Sequence, residues 1–271
     1  MFGIDSQMVA ALLLLGACTG FAAGLLGIGG GMLMVPFLTF LFTQQDFSNA
    51  HIVHMAVATS LTCILFTSVS SVRAHHAKQA VRWDIARLLA PTAFLGTVLG
   101  AQFAGLLKTS YLALFFGLFV GYSALQMLRS KKVPASKTMP SNSAVAGVGG
   151  VIGFVSSFVG AGGGFITVPF LSSRNVAMHH AVATSAAMGF PIAAGGLLGY
   201  LIAGWGITGL PAGAAGYIYL PALVICAGAS VLTAPLGARA AHALPVAHLK
   251  RVFAILLLCL AAYMLHKAYF S

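Results

Sequence analysis

The chain of 271 residues is 59% hydrophobic and 6% charged, with fourteen Lys/Arg against three acids. A water-soluble domain carries about 25% charged residues, so this composition cannot clothe a water-facing surface, and the protein belongs in a membrane. Its net charge of +11 would suggest nucleic-acid binding in a soluble protein; here it is read as topology signals in short loops, and no nucleic-acid partner is expected.

In chain order, residues 1–8 hold no Lys or Arg, so the basic start of a cleavable signal peptide is missing and the N-terminus is expected to be retained. Residues 8–42 form an apolar opening segment broken by Gly27-Ile28-Gly29-Gly30-Gly31. Three apolar helices follow, at about 51–72, 85–107 and 110–128, each near the roughly 20 residues that cross a bilayer. The polar stretch 129–143, with Lys131, Lys132, Pro134 and Pro140, reads as a linker. A second opening segment, 144–171, is broken by Gly160-Ala161-Gly162-Gly163-Gly164, and helices are expected at about 176–204, 217–238 and 249–267. Nothing alternates in the short segments of a membrane β-barrel, so the class is all-α and polytopic. Cys18, Cys63, Cys226 and Cys259 sit in apolar runs without CxxC spacing, which points to neither disulfides nor a metal site; no cofactor is expected.

An internal repeat organises these elements. Residues 20–38 match residues 153–171 over nineteen positions without a gap, including the Gly runs and the elements Val35-Pro36-Phe37-Leu38 and Val168-Pro169-Phe170-Leu171. Downstream, Ala56-Val57-Ala58-Thr59-Ser60 is echoed by Ala181-Val182-Ala183-Thr184-Ser185, and Leu99-Gly100-Ala101 by Leu236-Gly237-Ala238. The domain reading is repeat one at 1–130, a cytoplasmic linker at 131–143 and repeat two at 144–271.

Lys and Arg in short loops favour the cytoplasm. Residues 73–87 hold four bases, 129–137 four and 239–251 three, while the stretches before Met8, at 42–50 and at 204–216 hold none. With the basic loops inside, the three helices of the first half begin outside and those of the second begin inside, which makes the repeats inverted. This requires each opening segment to bend back as a hairpin, with two arms of about 26 Å in the first half at about 1.5 Å per residue. One continuous crossing per segment is the competing arrangement, giving eight spans in place of ten, with parallel repeats.

A Gly costs a helix about 1 kcal/mol relative to Ala, so both Gly runs are breaks. Broken backbone at membrane depth survives only where it is buried in protein or lines a cavity, and a helix restarting after it aims N–H groups and a positive dipole end at the break. That suits an anion held by Gly29, Gly30, Gly31, Gly162, Gly163 and Gly164. Close packing of helices through small residues is the other reading of the same glycines. Thr59, Ser60, Thr184 and Ser185 offer hydroxyls without charge, or simply bond the carbonyl one turn back. His54, His179 and His180 lie one turn earlier, as anion or proton contacts or as headgroup-region side chains. Arg239 ends an apolar helix, either snorkelling to the interface or giving an anion path its positive end.

The three acids, Asp5, Asp46 and Asp84, all fall in expected loops, so no intramembrane carboxylate is available for Na⁺ or a proton. HExxH, GxSxG and Walker motifs are missing, which leaves proteolysis, hydrolase chemistry and ATP-driven pumping without their residues. The chain is therefore not expected to be an enzyme. A membrane haem protein using the nine histidines is the competing class.

The paired Gly-Gly-Gly … Pro elements and paired Thr-Ser elements resemble the TauE/SafE sulfite exporter family, grouped with toluenesulfonate-uptake permeases, over nearly the whole chain. Ala58 and Ala183 depart from the Gly usual before Thr-Ser in that family. The resemblance implies a multi-pass carrier of the bacterial inner membrane that exports small sulfur-containing anions, sulfite or an organosulfonate. An anion channel, or a carrier for another small anion such as a carboxylate, is the alternative. The expected partners are the anionic substrate and the lipid bilayer, with a homodimer allowed.

Overall fold

Segments shielded from water must satisfy their backbone polar groups internally, and long apolar runs without period-2 alternation do so as helices. The computed structural model describes residues 5–26, 30–129, 138–240 and 246–270. The first half supplies α1 (Ser6–Leu26), α2 (Gly31–Gln44), α3 (Ile52–Ala77), α4 (Trp83–Gly105) and α5 (Thr109–Arg129). The second supplies α6 (Asn142–Val159), α7 (Gly164–Ser173), α8 (Met178–Ala203), α9 (Leu220–Ala240) and α10 (Val246–Phe270). Among the described residues, eight of these helices are long and apolar enough to cross a membrane; α2 and α7 are shorter apolar helices.

Two local differences from the sequence reading have clear causes. No Gly or Pro interrupts residues 73–77, so α3 runs on to Ala77 and carries Arg73, His75 and His76 on a helix instead of a loop. It ends just before Gln79, whose φ is +50°. The base-free stretch before α9 contains an unexpected hairpin, β1 (Ala214–Ala215) paired antiparallel with β2 (Ile218–Tyr219). Gly216 turns it at φ +55°, and a Cβ there would meet the Leu201 carbonyl at 2.6 Å.

Lipid gives helices no hydrophobic reason to associate, so they join through close backbone approach and interhelical hydrogen bonds, each worth about 0.6 kcal/mol. α1 lies along α9 in the same direction: Cys226 Sγ reaches the Leu12 carbonyl at 3.3 Å, and Ser230 Oγ and Thr233 Oγ1 donate to the Gly16 and Ala17 carbonyls at 2.7 and 2.9 Å. α6 lies along α4 in the same way, with Gly149 and Gly153 against Leu89 and Ala93, and Gly100 against Phe154 and Ser157. α5 and α10 run antiparallel, Gly117 facing Leu265 and Gly121 facing Ala261. At the centre the mostly buried α3 crosses α8 antiparallel through Leu61 on Gly196 and Ser68 on Gly189.

These directions gather the loops at two ends. One end holds the starts of α1, α3 and α5 and the β hairpin; there Thr109 Oγ1 donates to the Ala50 carbonyl at 2.6 Å and Lys267 Nζ to Asn49 Oδ1 at 3.0 Å. The opposite end holds the α3–α4 and α7–α8 connections, where His180 Nδ1 lies 2.7 Å from the Ala80 carbonyl. Among the described residues, Arg73, Lys78, Arg82, Arg87, Arg129, Arg174 and Arg251 lie toward this second, basic end, and Lys108 and Lys267 toward the first. α2 turns back along α1: Gly30 packs on the Thr19 carbonyl, and Phe42 stacks on Phe47 and meets Tyr219 edge-on at the base-poor end. The arms are unequal, 21 and 14 residues, because the break follows α1 almost across the bundle.

Candidate functional site at the meeting of the Gly motifs

Gly160 closes α6 in a left-handed conformation, φ +65°, and Gly163 opens α7 in another, φ +76°. Any L side chain is strained at both positions. The Gly163 carbonyl receives the N–H groups of Ile166 and Thr167, so those of Gly164 and Phe165 have no acceptor among the described residues. Pro36 and Pro169 occupy the same place, six residues into α2 and α7, and neither has an N–H to give.

The two motifs touch. A Cβ on Gly31 would overlap the Gly160 carbonyl, and Ile64 of α3 lies on its other side at 2.9 Å. Ser60 Oγ donates to that same Gly160 carbonyl at 2.9 Å and lies 3.4 Å from the Gly31 carbonyl, so one hydroxyl bridges both halves. Gly162 faces Gly189 of α8 at 3.4 Å. Ser185, one turn before Gly189, is 1% exposed, and its Oγ has no hydrogen-bond partner among the described residues. A buried polar group without a partner costs about 1–3 kcal/mol, so its hydroxyl is held there unsatisfied.

The threonines play another part. Thr59 Oγ1 accepts the Tyr219 N–H at 3.0 Å, and Thr184 Oγ1 accepts the Arg82 N–H at 3.0 Å. Each caps the residue entering the fourth helix of the opposite half, an exchange that ties α3 to α9 and α8 to α4. The structure does not bring the histidines to the Gly motifs. His54 Nε2 lies 3.0 and 3.1 Å from the Ala104 and Leu107 carbonyls, and its ring stacks on Tyr217 at 5.1 Å. His180 is engaged with Ala80 at the basic end, and His179 packs against it at 4.0 Å. Gly29 lies outside the described residues, and so does the side chain of Arg239 in the last turn of α9.

Three residues at this site escaped the sequence reading: Ile64, Ser68 and Gly189. Gly189 stands where the first repeat has Ile64, one turn after Ser185 and Ser60 respectively. That asymmetry was the available signal. The space beside the second Gly loop, between Met32, Phe119, Ser156 and Phe165, is about 10 Å³, close to the minimum for one water.

Comparison with known proteins agrees with this architecture. The family described as sulfite exporter TauE/SafE matches residues 12–264. A "Probable membrane transporter protein" of Haemophilus influenzae is 36% identical over 258 residues, covering 94% of this chain and 97% of that one. A "Probable membrane transporter protein YunE" of Bacillus subtilis is 30% identical over 58% of this chain and 65% of its own length. No solved structure matches. A multi-pass helical protein matched over nearly its whole length by this model, the chain belongs to the TauE/SafE family of membrane transporters and is not an enzyme.

Proposed function

We propose that the protein is a secondary transporter of the bacterial inner membrane that moves a small sulfur-containing anion, sulfite or an organosulfonate, by alternating access at the Gly motifs. The observation that carries this reading is the contact of Gly31 with the Gly160 carbonyl under the bridging Ser60 hydroxyl, beside the unpartnered Ser185. Backbone N–H groups at the start of α7, uncompensated by any carboxylate, suit an oxyanion. Membership in a family described as sulfite exporters supports sulfur chemistry.

In this reading the two halves are inverted repeats, each opening with a Gly-broken hairpin. Supporting it, α3 begins at the base-poor end and α8 at the basic end, and the pairings α1 with α9 and α6 with α4 interchange when the halves are exchanged. The basic end faces the cytoplasm by the positive-inside rule. The space of about 10 Å³ beside the second Gly loop is too small for an oxyanion, so passage there requires the Ser68–Gly189 and Gly162–Gly189 contacts to part. An interior-negative potential drives an anion outward, which makes export the favoured direction without a coupled cation.

The test is flux in liposomes. Gly30→Leu and Gly163→Leu are expected to abolish saturable anion transport in protein that still inserts and remains monodisperse. Normal flux in both variants overturns the assignment, and flux without saturation or counterflow replaces the carrier with a channel.

A further inference from the structure

The chain has three acids, and the structure accounts for where their charges go. Asp5 and Asp46 lie at the base-poor end; Asp84, at the basic end, is gripped by Arg82 through two bonds, Nε to Oδ1 at 2.9 Å and Nη2 to Oδ2 at 2.6 Å. Among the described residues, no carboxylate is left for Arg73, in the last turns of α3, or Arg87, in the second turn of α4. Both line one cavity of about 380 Å³ enclosed by α3, α4 and α8 at the basic end. Its remaining wall is almost wholly apolar, with Val69, Met188 and Phe190 among the lining residues. Trp83 completes it, held by a 3.1 Å hydrogen bond from its Nε1 to His76 Nδ1 across the α3–α4 turn.

We infer that this cavity is a second binding site, distinct from the Gly motifs, for an anion that carries an apolar body. Arg73 and Arg87 are exposed at the rim of this apolar wall, where they are free to meet an anion, and Arg holds sulfonate, carboxylate and phosphate heads through paired bonds. A bare oxyanion would give up water to the apolar wall and gain nothing from it; an amphiphile gains on both parts. The volume falls in the range of small-molecule pockets. Phe190 is 47% exposed, so the wall opens on the outer face of the bundle about halfway along α8. The contact of Ser68 with Gly189 stands between this cavity and the Gly loops. Two sources supply such a ligand: a soluble organic anion, or an acidic phospholipid of the leaflet at the basic end. The site stands whether or not the Gly motifs carry substrate, and its test reads binding instead of flux.

The experiment is calorimetric titration of the purified, delipidated protein in a neutral detergent with sodium 1-octanesulfonate, and with methanesulfonate as the probe lacking an apolar body. A parallel arm measures, by native mass spectrometry, retention of phosphatidylglycerol against phosphatidylcholine. Octanesulfonate is expected to bind about tenfold or more tighter than methanesulfonate, and the double variant Arg73→Gln, Arg87→Gln to weaken it by about tenfold or more. Ala90→Trp, which fills the cavity and keeps both charges, should weaken it comparably, and Arg73→Lys with Arg87→Lys should recover part of the loss; an unchanged melting temperature certifies the fold of each variant. Phosphatidylglycerol that is retained and then displaced by octanesulfonate assigns the lipid source; octanesulfonate binding without lipid retention assigns the soluble one. Binding of neither probe, equal binding of the two sulfonates, or unchanged octanesulfonate affinity in both the Gln and Trp variants overturns the inference.

Discussion

Replacing Gly31 by Ala tests the contact on which the two halves converge. The added methyl would fall on the Gly160 carbonyl, with the Ile64 side chain 2.9 Å away on the other side. The carbonyl cannot easily retreat, because Gly160 is in a left-handed conformation and its oxygen is bonded to Ser60. Overpacking against a side chain costs about 1–3 kcal/mol, and a backbone neighbour places Gly31→Ala at the upper end. Loss of the Ser60 bond adds about 0.5–1.5 kcal/mol, for a total of about 3.5–4.5 kcal/mol. Gly228→Ala in α9 and Gly147→Ala in α6 are the matched controls, since a Cβ at either meets nothing within 4 Å. There the gain in helix propensity leaves the protein unchanged or stabilises it by up to about 1 kcal/mol. Thermal and denaturant unfolding of the three variants in one detergent measures the difference. If Gly31→Ala unfolds with its controls, the halves do not meet through this glycine.

Other perturbations follow from the same geometry. Thr59→Val strands the buried N–H of Tyr219 and should cost about 1–3 kcal/mol in unfolding measurements, whereas Thr184→Val frees the part-buried N–H of Arg82, which water can reach, and should cost less. Ser185→Ala removes a buried hydroxyl that has no partner, so stability should be unchanged or higher by up to about 1–3 kcal/mol while transport falls; a loss of stability would expose a structural partner for that hydroxyl. His54→Leu should destabilise the base-poor end, seen as faster amide exchange in the α4–α5 turn, and leave the pH profile of transport unchanged, because its Nε2 faces two carbonyls away from the Gly motifs. A membrane-impermeant maleimide applied to intact cells should label Gly206→Cys and spare Lys78→Cys; labelling of both would defeat the inverted arrangement.

The sequence pattern carried most of the helix positions, because Gly runs and the change from apolar to basic residues mark where lipid-shielded segments must stop. α3 overran its expected end only because Arg73 and the His pair tolerate a helix that nothing breaks before Gln79. The hairpin Ala214–Tyr219 was illegible since two-residue strands leave no alternation to read. Of the site, the Gly motifs were visible as a repeat, but their contact was not: Ser60 and its Gly160 acceptor are 100 residues apart. The threonines illustrate the limit better still. Thr59 and Thr184 looked alike to Ser60 and Ser185, and only the fold shows that the first pair caps helix entrances in the opposite half. Arg73 and Arg87 read only as topology signals, because the sequence does not reveal that Asp84 is already taken by Arg82.

The most direct test of the central claim is counterflow of labelled sulfite into liposomes containing wild-type protein or Ser185→Ala. Saturable counterflow in the wild type, cut by about tenfold or more in a variant that melts no lower than the wild type, is the expected result. Equal counterflow in the two proteins would remove the Gly–Ser meeting point as the binding site, and wild-type liposomes that exchange neither sulfite nor an organosulfonate would contradict the proposed substrate class.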